Sequence, residues 1–421
     1  MKKLLLLIVL AALGMTPDAM ALDMREVVEL TLNNHQRIAQ FQAAEEETVS
    51  GIDSARAAFY PRLDLNYAYT KRNNPPVKEE EEFSAFAINA SYNLFNGLAD
   101  LNGVRAAEAR SAAAGYQLKA VLADLVLEAR QSYIERLRAG RTVETSRESV
   151  ALLERQYRDS RLYFQQGLIA RNDLLRVEVE LSSARQDLLQ AKGDLRIAAR
   201  RLERLTGTPI DDEQELEDFS QLPHPEEPDA ETLRRQLLNQ RSELHFLEQL
   251  VDAAGYDRST VRGDYLPSVD LTLAHEEYGD SLSPVSGDFD HDQKVLLTAS
   301  WTLFNGFATR QASAAADSRK RRLAAELRDI HAELWLQLQT ALTDLEIARG
   351  KQREAQTGVA QAEENYRVTE NRYRQQQATT FDLLDARFLL TRARNQEVNA
   401  RYDLHNKAAV LDRVLERGTP H

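Results

Sequence analysis

Cysteine is absent from the 421 residues of the chain. The chain therefore has no disulfide framework, no cysteine-based metal site and no thiol that could accept a lipid anchor. Basic residues are also outnumbered by acidic ones. The chain has 53 Lys and Arg and 66 Asp and Glu, which gives a formal net charge of -13. No basic stripe is visible, which argues against a nucleic-acid partner.

Long apolar runs are absent as well. The longest one, over residues 4–13, follows Met1-Lys2-Lys3 and precedes the sequence Ala19-Met20-Ala21. A basic start, a short apolar stretch and an A-x-A site are typical of a secretory signal, so we expect residues 1–21 to be cleaved after Ala21. An N-terminal anchor is the alternative, but the run has only about half the length that a spanning helix needs.

Enzyme motifs are lacking too. The eight histidines are scattered, with no His-Glu-x-x-His pattern, and the chain has no phosphate-cradling glycine loop and no nucleophile elbow. We therefore expect no catalytic residues, no cofactor and no metal ion.

Proline is scarce where helix formers are abundant. None of the 11 prolines lies between Pro76 and Pro209, or between Pro284 and Pro420. These two intervals are rich in Ala, Leu, Arg, Glu and Gln, with charges at i, i+4 spacing. Apolar residues recur there at three- and four-residue steps, as in Leu118, Val121, Leu122, Leu125, Ala129 and Tyr133. This spacing predicts long helices that bury a narrow seam, as coiled coils do.

One stretch of the sequence occurs twice in the chain. Leu-Phe-Asn-Gly at 94–97 returns at 303–306, a shift of 209 residues, and the match continues downstream. Upstream, Tyr60-Pro61 corresponds to Leu266-Pro267, a shift of 206 residues. Because this period is far longer than that of solenoid repeats, the sequence indicates a duplicated half-protein.

Each half also carries two runs in which apolar and polar residues alternate. The apolar members are Leu63, Leu65, Tyr67 and Tyr69, then Phe86, Ile88, Ala90, Tyr92 and Leu94, then Val269, Leu271 and Leu273, then Val295, Leu297, Ala299, Trp301 and Leu303. A period of two predicts strands with one apolar and one polar face. Strands of about ten residues with aromatics near their ends match outer-membrane barrels, but a soluble antiparallel sheet would alternate in the same way.

These patterns predict a mainly α-helical fold with a small β part, built from two repeats. The first repeat (22–206) holds a helix over 22–59, a β-hairpin over 60–95, a long helix over 97–166 and a helix over 171–206. A Pro- and acid-rich linker follows over 207–228. The second repeat (229–417) holds a helix over 229–264, a β-hairpin over 266–304, a long helix over 306–376 and a helix over 379–416.

Four strands cannot close a membrane barrel, so the chain must contribute its strands to an oligomer. The whole mature chain resembles the TolC family of outer-membrane channel proteins. The resemblance rests on the two Leu-Phe-Asn-Gly hinges (Asn96, Gly97, Asn305 and Gly306), on Tyr60-Pro61 and Leu266-Pro267, and on the tips "YFQQGLIARNDLL" and "YRQQQATTFDLLDA".

The resemblance implies a homotrimer with a twelve-stranded β-barrel in the lipid of the outer membrane and an α-helical tunnel in the periplasm. Such a channel is the exit duct of a tripartite efflux pump or a type I secretion system. Its partners are a periplasmic adaptor (membrane fusion) protein and an inner-membrane transporter. A soluble periplasmic coiled-coil adaptor or scaffold is the alternative. Such a protein would not need strands of lipid-spanning length with the outward-facing aromatic residues Tyr67, Tyr69, Tyr92 and Trp301.

The resemblance also assigns roles at the second tip. Asp382 and Asp385, three residues apart on one helix face, match the aspartates that ring the periplasmic aperture of the family. The alternative is helix capping, with Thr379 or Thr380 as the N-cap and the acids in the first turn.

Two further residues match the network that closes the aperture, namely Asp173 and Tyr373. The arginine of that network is missing, because Ala378 stands in its place, and the tip lacks the usual glycine. Arg171 or Arg374 could substitute for the arginine.

The adaptor-docking tips implied by the resemblance are Gly167, Leu168, Ile169, Ala170, Ala378 and Thr379. Glycine followed by two apolar residues is also an ordinary turn between antiparallel helices. Exposed apolar residues at a tip nevertheless favour a partner surface.

Overall fold

The computed structural model describes residues 22–73, 81–211, 214–221, 223, 229–279, 282 and 290–418. The expected signal peptide, residues 1–21, lies outside this part. With 73% helix and 13% strand, the structure confirms the predicted mainly helical class with four antiparallel strands. In the described part of the chain, no helix is both long enough and apolar enough to cross a membrane.

The elements follow one another in the order that the repeat predicts. They are α1 (Met24–Asn34), α2 (Gln36–Arg56), a 3₁₀ turn (Ala57–Phe59), β1 (Arg62–Lys71), β2 (Glu82–Asn96), α3 (Ala99–Gln165), α4 (Arg171–Thr206), α5 (Ala230–Gln240), α6 (Ser242–Gly263), β3 (Ser268–Gly279), β4 (Asp290–Ser300), α7 (Ala308–Arg374) and α8 (Thr380–Val414). Helices α3 and α7 have 67 residues each, which corresponds to about 100 Å.

Two of the predicted helices are broken, and these predictions are corrected here. The helix expected over 22–59 is interrupted at His35, whose backbone is extended (φ -73°, ψ 121°). The side-chain amide of the preceding Asn34 donates to the carbonyl of Thr206 at 2.8 Å, a long-range bond that local helix propensity cannot reveal. The helix expected over 229–264 is interrupted at Arg241 (φ -68°, ψ 112°), whose side chain is buried against Glu243.

The described chain divides into two compact units. The helical unit comprises the described residues of 22–36, 122–236 and 337–418, and the sheet unit comprises those of 37–121 and 237–336. One core cluster of the helical unit consists of Val27, Ala129, Tyr133, Ile134, Leu137, Leu202, Ile210, Tyr402 and Ala409. A second cluster, nearer the tips, consists of Leu153, Val177, Leu181, Ala184 and Leu384.

The sheet unit contains one antiparallel sheet with the strand order β1-β2-β3-β4. Residues paired across an antiparallel ladder project to the same side, so the register defines the two faces. One row joins Leu63, Ala90, Leu273 and Val295 across the four strands, and it is apolar throughout. The row of Asn66, Ala87, Glu276 and Asp292 lies on the opposite, largely polar face.

The second hairpin ends earlier than predicted. It was expected to continue to residue 304, but β4 ends at Ser300. Strand β4 lies at an edge of the sheet, where β3 pairs with it on one side only. Every residue of β4 pairs with β3, and residues 301–304 have no ladder partner within the described chain, whereas β2 pairs with β3 up to Asn96.

Candidate functional site

The first tip is the turn between α3 and α4. Gly167 adopts the left-handed conformation (φ +74°) that other residues enter with strain. Its N–H donates to the carbonyl of Phe164 at 3.0 Å, and the N–H of Leu168 donates to the carbonyl of Tyr163 at 2.8 Å. These two bonds close the helix end in a Schellman-type turn. Leu168 is 50% exposed, whereas Ile169 is half-buried.

The second tip has the same hydrogen bonds without the glycine. The N–H of Gln376 donates to the carbonyl of Tyr373 at 2.9 Å, and the N–H of Gln377 donates to the carbonyl of Arg372 at 2.8 Å. Gln376, with φ +58°, takes the place that Gly167 has in the first tip. The tip thus keeps its turn although the glycine is missing, at a cost of about 1 kcal/mol for a side chain in this region.

Helix α8 begins with a capping box. Thr379 is the N-cap, and its hydroxyl accepts from the N–H of Asp382 at 3.2 Å. The carboxylate of Asp382 accepts in return from the N–H and the hydroxyl of Thr379, both at 2.8 Å. The hydrogen bond from the backbone N–H of Thr379 is the largest cause of a lowered pKa of Asp382, and the bond from the hydroxyl of Thr379 is the second largest. The capping alternative is therefore observed for Asp382.

Asp385 has a different environment, one turn further along α8. Both aspartates are exposed, while Leu383 and Leu384 between them are buried. The capping box does not include Asp385, whose exposed carboxylate projects from the same helix face as that of Asp382. The carboxylate of Asp382 therefore caps the helix, whereas that of Asp385 does not take part in the capping box.

Tyr373 and Asp173, predicted members of the closing network, do not hydrogen-bond with each other in the described chain. Tyr373 is only 7% exposed, and its buried hydroxyl has no hydrogen-bond partner among the described residues. Its ring centroid lies 6.2 Å from that of Tyr163. Asp173 is half-buried in the first turn of α4, where its N–H donates to the carbonyl of Ala170 at 3.1 Å.

The two arginines considered as substitutes also differ. Arg374 is exposed and pairs with Glu370 at 2.8 Å on its own helix. Arg171 is the first residue of α4 and is exposed.

Sequence reasoning missed a buried cation behind the second tip. Arg387 is 6% exposed, donates to the hydroxyl of Ser149 at 3.0 Å and lies 3.5 Å from the carboxylate of Glu180. Burial lowers the pKa of Arg387, and the charge of Glu180 opposes this shift. The guanidinium thus links α8 to α3 and α4 below the tips. The sequence feature that could have indicated this buried arginine is its position one turn after Leu383 on the apolar seam.

The linker contains a second feature that the sequence did not indicate. Residues 214–221, the docked linker segment, lie against other segments of the helical unit. Leu216 forms a parallel bridge with Leu22, and the hydroxyl of Tyr133 donates to the carbonyl of Glu217 at 2.6 Å. Asp218 accepts from Arg141 at 2.9 Å and from the hydroxyl of Tyr402 at 3.1 Å.

Burial raises the pKa of Tyr402 to about 12, with the charge of Asp218 adding to the effect. Burial of Asp218 opposes its ionisation, but hydrogen bonds from Arg141 and from the N–H of Phe219 outweigh this effect and lower the pKa of Asp218.

The two strand-to-helix hinges share one conformation. Gly97 and Leu98 both have φ near +66° (67° and 65°), and Gly306 and Phe307 both have φ +68°. In each hinge the asparagine side-chain oxygen accepts from a helix N–H at 3.4 Å, that of Asp100 in the first hinge and that of Thr309 in the second.

The surroundings of the two hinge glycines differ. A Cβ on Gly97 would lie 2.3 Å from the carbonyl oxygen of Gly263 at the end of α6, so only glycine fits there. A Cβ on Gly306 would meet no atom within 4 Å in the described chain.

Comparison with known proteins gives consistent matches over most of the chain. The sequence model of the family described as "Outer membrane efflux protein" matches residues 27–208 and 233–416. "Outer membrane protein TolC" of Vibrio cholerae serotype O1 is 24% identical over 408 residues, which cover 96% of this chain and 93% of that protein. "Alkaline protease secretion protein AprF" of Pseudomonas aeruginosa is 26% identical over 410 residues, which cover 92% and 82% of the two proteins. The crystal structure of CusC superposes with a TM-score of 0.83 at 18% identity, over 94% of this chain and 92% of that one.

Proposed function

Because this chain belongs to the outer membrane efflux protein family, we propose that three copies of it form an exit duct, with a twelve-stranded barrel in the outer membrane and a helical tunnel in the periplasm. The observation that carries this proposal is the four-stranded sheet with one apolar face and two open edges. In lipid, each unpaired backbone N–H and C=O costs several kcal/mol, so the edges must be paired by other copies.

The size of the barrel favours three copies over two. Two copies would supply eight strands, and the interior of an eight-stranded barrel is filled by its own side chains. Three copies supply twelve strands and leave room for a lumen lined by the polar face of the sheet. The apolar face then contacts lipid, with Val295 (76% exposed) and Leu297 (64% exposed) among its members.

The tips of the helical unit form the aperture and the docking surface in this proposal. Asp382 and Asp385 from three chains give six carboxylates around one axis, which favours the passage of cations. Tyr373 and Asp173 belong to the contacts that close the aperture. The first tip, with Leu168 and the turn around it, contacts the helical hairpin of a periplasmic adaptor. The second tip does so through Ala378 and Thr379. An inner-membrane transporter completes the system.

Export of the chain belongs to the same proposal. A signal peptide over 1–21 directs the chain out of the cytoplasm, and the mature protein carries no lipid anchor. The name of the Pseudomonas relative, a protease secretion protein, supports a secretion system, and the family description supports efflux.

A pair of substitutions tests the proposed barrel. Leu297→Arg places a charge on the apolar face, which costs about 2 to 4 kcal/mol near the middle of the bilayer. Thr298→Arg is the matched control, because Thr298 pairs with Asp270 on the polar face. We expect Leu297→Arg to reduce the amount of assembled trimer in the outer membrane and Thr298→Arg to leave it unchanged, as measured by membrane fractionation and native mass. Equal amounts of trimer for both variants, or recovery of the unmodified protein in the soluble periplasm, would contradict the proposal.

A further inference from the structure

The guanidinium of Arg387, buried behind the second tip, is incompletely paired. Arg387 is 6% exposed, and its charge partner Glu180 lies 3.5 Å away with a side chain that is 44% exposed. Arg387 donates to the neutral hydroxyl of Ser149 at 3.0 Å, and its buried Nε atom has no hydrogen-bond partner among the described residues. Removing a charge from water costs several kcal/mol, and an apolar side chain in such a place is often as stabilising. The charge at this position therefore indicates a role other than stability.

The apolar residues around Arg387 do not fix the rotation of α8. They come from α3, α4 and α8 and form the cluster of Leu153, Val177, Leu181, Ala184 and Leu384. Hydrophobic contacts are not directional, so they hold α8 against the other two helices and still allow it to turn about its own axis. A hydrogen bond has preferred angles. The bond from Arg387 to Ser149 is therefore able to fix the rotation that the apolar contacts leave free.

Arg387 and the two aspartates of the proposed aperture lie on opposite faces of α8. Successive residues of an α-helix are about 100° apart around the axis, so Arg387 lies about 200° from Asp385 and about 140° from Asp382. Burial agrees with this geometry, because Arg387 is buried and both aspartates are exposed. The contacts of Arg387 on one face therefore set the direction in which the carboxylates project on the other.

The partners of Arg387 belong to the helices of the first tip. Ser149 lies on α3 and Glu180 on α4, and the turn around Gly167 joins these two helices. Helix α8 begins at the second tip, with Asp382 in its first turn. One side chain thus links the helix that carries the aspartates to both helices of the first tip.

We propose that Arg387 is a positioning residue for the aperture, whose contacts with Ser149 and Glu180 fix the rotation of the first turns of α8 and so hold Asp382 and Asp385 toward the axis of the duct. This inference rests on the proposed aperture and adds the residue that orients its carboxylates. Arg387 acts through the aspartates, because its own side chain is buried and does not line the aperture.

Replacement of Arg387 by methionine separates this role from a charge effect. Arg387→Met removes one positive charge and keeps a long, adaptable side chain in an apolar seam. By charge alone, loss of a cation near the carboxylates would raise the preference of the duct for cations. The positioning role predicts a lower preference, because carboxylates that are no longer held toward the axis attract cations in the duct less. The unfolding midpoint should not fall, since an apolar side chain replaces an incompletely paired buried charge.

Two further variants isolate the hydrogen bond and the position. Ser149→Ala removes the acceptor hydroxyl without a change of charge, so a charge effect predicts no change and the positioning role predicts a lower preference for cations. Arg394→Met is the matched control. Arg394 lies one heptad further along α8, about 10 Å from Arg387, and pairs with Glu148 of α3 at 2.6 Å and with Glu363 of α7 at 2.9 Å.

The measurement is the permeability ratio of K⁺ over Cl⁻ in planar bilayers, with native mass and the unfolding midpoint recorded for each variant. We expect the ratio to fall by at least about twofold in Arg387→Met and in Ser149→Ala, with no further fall in the double variant, and to stay unchanged in Arg394→Met. A raised or unchanged ratio in Arg387→Met would overturn the inference, and so would an equal fall in Arg394→Met.

Two outcomes are resolved by the remaining variants. If Arg387→Met does not assemble as a trimer, Ser149→Ala decides by the same criterion. Asp385→Asn, measured in the same bilayers, tests the aperture itself. An unchanged ratio in Asp385→Asn would overturn the proposed aperture and the inference with it. A lowered ratio in Asp385→Asn, together with an unchanged one in Arg387→Met and Ser149→Ala, would overturn the positioning role alone.

Discussion

The imidazole of His405 stacks on the ring of Phe219, with centroids 3.8 Å apart and planes 14° from parallel. This contact holds the docked linker segment against α8. Burial, with the positive charge of Arg401 adding to it, lowers the pKa of His405 to about 4, and the charge of Asp218 only partly opposes this shift. The imidazole in this stack is therefore neutral at neutral pH.

The linker contact predicts a pH dependence of stability. Because the pKa is 6.5 in the unfolded chain and about 4 in the folded one, the unfolded chain binds more protons between these values. Stability from this group is complete above pH 6.5 and falls as the pH drops to 4, by about 3 kcal/mol. His405→Phe keeps the stack and cannot be protonated, so denaturation curves at pH 7, 5.5 and 4.5 should lose this component. His331→Phe is the control and should keep it. A His405→Phe protein with the native pH dependence would show that the assignment is wrong.

The capping box predicts that stability and ion preference can be separated at the second tip. Asp385→Asn removes an exposed charge outside the box, so cation selectivity in planar bilayers should fall while the unfolding midpoint stays unchanged. Thr379→Ala removes the cap hydroxyl without a change of charge, so it should cost about 1 kcal/mol and leave selectivity intact. If Asp385→Asn leaves both selectivity and block by multivalent cations unaltered, Asp385 does not line the aperture.

Leu168 is the side chain at the first tip that best tests the docking surface. Its half-exposed side chain can be replaced without opening the core, whereas Ile169 is half-buried, and a charge there would also destabilise the turn. Leu168→Asp should weaken adaptor binding by about 2 kcal/mol, the scale of an interface hot spot, and should reduce export in cells. Gln166→Asp adds the same charge at an exposed neighbouring position and is the control for charge alone. Equal loss of export in both variants would argue against an apolar docking contact.

Gln376 predicts a stabilising substitution. Its positive φ strains any residue with a Cβ, so Gln376→Gly should raise the free energy of unfolding by about 0.5 to 1 kcal/mol. Gln377→Gly is the control, because Gln377 is not among the residues with positive φ, and there the added backbone freedom should lower stability. Chemical denaturation of both variants measures the difference. A destabilised Gln376→Gly protein would show that the side chain contributes more than the backbone strain costs.

Local sequence information was sufficient for the mainly helical class, the two repeats and the faces of the four strands. These features depend on periodicity and on short motifs. Alternation at Leu63, Leu65 and Tyr67 places these side chains on one face wherever the strand lies, and an Asn-Gly hinge stops a strand without reference to the rest of the chain. A duplicated motif also reports the same local geometry twice, as the hinges at Gly97 and Gly306 do.

Contacts between residues far apart in sequence decided the rest. The break at His35 accompanies a bond from Asn34 to Thr206, and the docked linker segment is held by Tyr133, Tyr402 and His405 from two distant helices. The capping role of Asp382 and the left-handed conformation of Gln376 both depend on the backbone path of the second tip. The residue preferences in this turn do not select that path by themselves. Such features follow from which segments meet in space, and only the folded chain contains that information.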